Sequence, residues 1–68
     1  MFQNHKQYRH DSCLDIDIIV QEVFTEDTDS SIIFVGYWNR HYRCYQGKCE
    51  VVQVKNKDYH LWKEVSVA

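Results

Sequence analysis

Alanine and leucine are nearly missing from this 68-residue chain: one Ala, at its C-terminal position, and two Leu, against thirteen Val and Ile. The best helix builders are therefore scarce, whereas branched and aromatic residues suit a pleated, half-buried surface. A helical bundle is excluded. Proline is absent, glycine occurs only at Gly36 and Gly47, and neither repeats nor low-complexity segments interrupt the chain. Two isolated glycines cannot form a Gly-rich phosphate cradle. No apolar run approaches the roughly 18 residues of a membrane span, and Met1 to Ser12 lacks the apolar stretch of a signal peptide. Three cysteines, an odd number without an export signal, argue against a disulfide framework and for a reducing, cytoplasmic setting.

A chain of this length buries only about 60% of the surface that its unfolded form exposes. Its stability then rests on a tight core, a metal or another chain. No oxyanion loop or orienting third residue accompanies any Cys–His pair, so neither catalysis nor a cofactor is expected. Asp15 and Asp17, two apart, would project from one solvated strand face.

Charge is unevenly distributed. Seven acids (Asp11, Asp15, Asp17, Glu22, Glu26, Asp27 and Asp29) lie in a stretch free of Lys and Arg between Arg9 and Arg40. Arg40, Arg43, Lys48, Lys55 and Lys57 then follow, against Glu50 alone. One expectation is internal complementarity, an acidic strand lying beside a basic one. The other is a bipolar surface that steers a charged protein partner, with Glu22, Glu26, Asp27 and Asp29 as the partner-binding residues.

Along the chain, residues 1–12 are polar and read as a flexible arm. Leu14, Ile16, Ile18 and Val20 alternate with Asp15, Asp17, Ile19 and Gln21, the period of a strand. Helical spacing also fits Ile16, Ile19, Val20, Val23 and Phe24, but the β-branched side chains there weigh against a helix. The break in alternation at Gln21-Glu22 predicts a bulge. Thr25 to Ser31 reads as a polar turn, and Ile32 to Trp38 as a strand in which Gly36 marks a bulge or close backbone approach. A further turn is expected at Gln46-Gly47, and another at Asn56 to Asp58. Asp58 can alternatively cap one helical turn at Tyr59–Trp62.

The sequence thus predicts one all-β domain over residues 13–68. It would have four or five antiparallel strands in a meander or small SH3/OB-like barrel. The alternative is α+β, with a helix at 13–25 on a three- or four-stranded sheet.

Two further constellations carry chemistry. Tyr37, Trp38, Arg40, Tyr42, Arg43, Tyr45 and Lys48 interleave aromatics with cations, the pattern that stacks bases and tracks phosphates in single-stranded nucleic acid. His10, Cys13, Cys44 and Cys49 offer soft ligands for a small structural zinc site, although no C-x2-C knuckle is present. A two-residue turn at Gln46-Gly47 would instead set Cys44 opposite Cys49 across a hairpin. The expectation is a non-enzymatic interaction module, an adaptor, regulator or inhibitor that binds a protein partner. Single-stranded nucleic acid is the alternative ligand, and homodimerisation through a strand edge is a further expectation.

Overall fold

Residues 2–13 and 15–65 are described by a computed structural model of the chain. Among the described residues five strands form: β1 (Gln7–His10), β2 (Ile16–Glu26), β3 (Ser30–Asn39), β4 (Cys44–Lys55) and β5 (Trp62–Val65). A 3-10 helix, Asn56–Leu61, lies between the last two. The sheet runs in the order β4-β3-β2-β1-β5, with every neighbouring pair antiparallel. The all-β expectation is met, and the helix over 13–25 is not formed. Branched Ile16, Ile18, Ile19, Val20 and Val23 pack in an extended strand, where their stiff χ1 angles cost little. Among the described residues no helix is long and apolar enough to cross a membrane.

The polar N-terminal segment departs from expectation. Of the expected arm over residues 1–12, the described part, 2–12, is not free: β1 is inserted between β2 and β5, and Phe2 is buried. The His5 amide donates to the Val20 carbonyl, and the Val20 amide donates to Lys6. Pairing on both edges supplies what β1 lacks in hydrophobicity.

The bulge predicted near Gln21 is present, as a register shift between Val20 and Glu22, and a second lies between Val23 and Thr25. Bulges bend a strand and increase its twist. The core sits on one face: Phe2, Tyr8, Ile18, Val20, Ile33, Val35 and Val54, with Val23, Tyr37, Val52, Tyr59 and Trp62 packed against it. Phe2 lies edge-to-face against Tyr8, Tyr59 and Trp62. The 3-10 helix therefore closes the core rather than the sheet. Among the described residues no ladder joins β4 to β5. The described residues thus leave the sheet open.

The second hairpin is also placed differently. The chain turns at residues 40–43, and Gln46-Gly47 lies inside β4. Asn39 pairs with Cys44 and Trp38 with Tyr45, and the register then slips before Gly36 meets Cys49. Gly47 takes up the slip at φ 75°, a left-handed conformation that glycine adopts without a Cβ penalty. Cys44 and Cys49 therefore occupy one strand and do not face each other across a hairpin, and all three cysteines are free thiols. The 3-10 helix includes Asp58 in its first turn instead of being capped by it.

Candidate interaction surface

Residues directly opposite one another in an antiparallel ladder point to the same face. Tyr8, Ile18 and Tyr37 are aligned across three strands and point into the core. One residue along, Lys63, Arg9, Asp17, Trp38 and Tyr45 form a row across all five strands on the outer face.

Asp17 anchors this row. It was expected on a solvated face with Asp15, but it is fully buried, whereas Asp15 is exposed. Arg9 reaches it with Nε 3.2 Å from Oδ1, Arg40 with Nε 3.0 Å from the same oxygen, and Gln7 Nε2 donates to Oδ2 at 2.7 Å. A buried carboxylate without partners is strongly unfavourable, so hydrogen bonds from Gln7 and Arg9 and the nearby Arg40 charge make its burial tolerable. Arg40 also fastens the chain before β2: its Nη2 donates to the Cys13 carbonyl and its amide to that of Asp15, each at 2.8 Å. The local sequence carries no cue to this cluster, because its cations come from β1 and from the turn after β3.

Beyond Trp38 the outer face becomes apolar and open. The Trp38 and Tyr45 rings meet edge-to-face at 5.4 Å, Phe34 lies opposite Val51, and Phe24 and Phe34 are 6.2 Å apart. Gly36 and Cys49 lie between these groups. Phe24, Tyr45 and Val51 are 52%, 53% and 59% exposed. Glu22, opposite Phe34, adds a carboxylate at one end of this strip, while Arg9 and Lys63 lie at the other.

The predicted acidic site is dispersed. Glu22 and Glu26 are exposed on β2, whereas Asp27 and Asp29 form the β2–β3 turn. Asp27 is engaged in the turn itself. Its Oδ1 accepts the amides of Asp29 and Ser30 at 2.8 and 2.9 Å, and these donors hold its carboxyl below the usual range. The expected contact of an acidic strand with a basic one is replaced, since β3 separates β2 from β4. The β2–β3 turn meets the basic end of β4 around an open concavity of about 440 Å³ that includes Asp29, Lys55 and Lys57.

The aromatic–basic set is divided as well. Trp38, Arg40 and Tyr42 do not share one strand face, because the chain turns after Asn39. Tyr37 points inward and its hydroxyl donates to Glu50; burial first, then this carboxylate, push its pKa up to about 12. Arg40 is engaged by Asp17. Trp38 and Tyr45 remain on the outer face, with Tyr42, 73% exposed, and Arg43 in the turn. The Lys48 side chain lies outside the described residues.

The zinc set is not assembled. His10 packs against Trp62, Cys13 lies beyond β1, and Cys44 and Cys49 pair with Asn39 and Gly36. Among the described residues no three His, Cys, Asp or Glu side chains converge to hold a metal. No family model matches this chain, and neither a curated protein nor a solved structure matches it.

Proposed function

We propose that this chain is a non-enzymatic interaction module that binds a protein partner through the outer face of β3 and β4. The observation that carries this reading is the strip of Tyr45 and Val51, on one side of the sheet, with Phe24 beside Phe34 on that side, each of the three more than half exposed. Contiguous apolar patches on a small protein mark binding surfaces. Glu22 and the Arg9–Lys63 end give the strip opposite charge at its two ends, which orients a partner and raises its association rate. The free thiols agree with action in the cytoplasm.

Affinity capture with the tagged chain, before and after nuclease treatment, tests the proposal. A protein retained after nuclease and released by Tyr45→Ser supports it. Loss of all captured material with nuclease assigns the surface to nucleic acid instead, and a partner indifferent to Tyr45→Ser overturns the site. Charge reversal at Glu22, Glu26 and Asp29 is expected to slow association at low salt. Asp27 is left intact in that variant because it holds the turn.

A further inference from the structure

The two edges of the sheet are protected very differently. β5 is four residues long, and its centre is the exposed charged pair Lys63-Glu64. β4 is twelve residues long. Its slipped segment, with Gly47, lies near the 40–43 turn, and Lys55 ends the strand. Between them runs Cys49-Glu50-Val51-Val52-Gln53-Val54, rich in valine, with one charge and neither proline nor glycine. No described residue pairs with the outer edge of this segment. Proteins blunt long strand edges with lysine, proline, bulges or covering elements. The Cys49–Val54 segment has none of these.

We propose that two copies of this chain pair antiparallel along β4, with Val51 on the two-fold axis. This contact uses the backbone edge of β4 and does not depend on the protein-partner reading of the outer face. Two-fold pairing keeps equivalent faces together, so only one residue at a time can lie opposite itself. Glu50 on the axis would set like charges against each other. Cys49 there would run Val51 into Gly47 of the slipped segment. Val52 there would leave Val51 opposite Gln53 and Cys49 opposite Lys55. Val51 on the axis sets Cys49 opposite Gln53 and Glu50 opposite Val52. It also removes from water, in both copies at once, the strand residue that the monomer leaves 59% exposed.

The joined sheet has ten strands, and its two outer apolar strips become continuous. Five paired residues make a seam only about 17 Å long. That is well short of the roughly 800 Å² per partner of a standard interface. The dimer is therefore concentration-dependent and not obligate.

Light scattering of the purified chain across a concentration series tests this without any other partner. The mass is expected to rise from 8.3 kDa toward twice that value. Val51→Lys should hold it at the monomer value, while Tyr45→Ser on the neighbouring outer face should leave the dimer intact. A chain that stays monomeric at its highest soluble concentration overturns the proposal, as does a dimer that survives Val51→Lys. The register is tested with Val51→Cys in a Cys44→Ser, Cys49→Ser background, with oxidised glutathione as electron acceptor. Two opposed thiols then give one reduction-sensitive interchain disulfide and two reduced glutathione molecules, because directly opposed Cα atoms lie within bridging distance. Val52→Cys in the same background should cross-link far less; the reverse order overturns the register.

Discussion

Arg40 lies one residue past the end of β3, yet its Nε is 3.0 Å from Oδ1 of the fully buried Asp17. Arg9 approaches the same oxygen from β1. One carboxylate thus ties the N-terminal strand to the turn that follows β3. Removing a partner from a buried ion pair costs about 3–5 kcal/mol, a large share of the roughly 5–15 kcal/mol that stabilises a domain. Asp17→Asn is expected to lower stability by about that amount. Arg40→Ala should cost more than Arg9→Ala, since their side chains are 24% and 42% exposed. Urea unfolding reads both effects, and an Asp17→Asn midpoint equal to wild type would contradict this assignment.

Phe2 provides a second test, because an N-terminal arm would tolerate its loss. It is 6% exposed and packed among Tyr8, Tyr59 and Trp62. Phe2→Ala is expected to cost about 3 kcal/mol, the low end for a buried phenylalanine. Trp62 fluorescence should shift along with the unfolding midpoint. An unchanged midpoint would return residues 1–12 to the status of a free arm.

Gly36 is expected to accept a side chain. A Cβ there would lie 3.5 Å from Gln21 Nε2, 3.6 Å from Tyr45 Cε1 and 3.7 Å from Cys49 Sγ, all ordinary contacts. Glycine inside a strand costs roughly 0.5–1 kcal/mol relative to alanine. Gly36→Ala should therefore raise the urea midpoint at unchanged slope. Gly47→Ala should lower it, because φ at Gly47 is 75° and an L side chain is disfavoured there.

The β2–β3 turn gives a pH signature. The two backbone amides on Asp27 lower its carboxyl below its ordinary value of 3.8. The ionised form is thus favoured by folding. Its contribution is complete above 3.8 and disappears as pH falls through the lowered native value. The stability gap between wild type and Asp27→Asn should narrow over that interval. A gap constant from neutral pH into the acid range would refute the link.

Tyr37 gives the opposite sign at alkaline pH. Burial and the Glu50 carboxylate raise its pKa from 10.0 to about 12, so the neutral phenol is favoured by folding. Its contribution is complete below 10.0 and is lost as pH rises through about 12. Ultraviolet titration should show a late phenolate step that Tyr37→Phe removes, and Glu50→Gln should bring that step to lower pH.

The sequence by itself determined the β class, the single small domain and the bend near Gln21. Each of these follows from local composition and period: branched residues prefer extended backbone, and a lapse in alternation requires an extra residue in the strand. Tertiary structure decided the rest. Gln7–His10 carries Tyr8 as its one apolar anchor and becomes a strand because β2 and β5 offer it hydrogen bonds on both edges. Asp17, read locally as a solvated acid, is buried because Arg9, Arg40 and Gln7 converge on it from distant parts of the chain. The second hairpin turns at 40–43, not at Gly47, once Trp38 pairs with Tyr45 and Asn39 with Cys44. The scarcity of alanine and leucine excluded a helical bundle, but cross-strand pairing chose which side chains the sheet buries and which it leaves open at Phe24, Tyr45 and Val51.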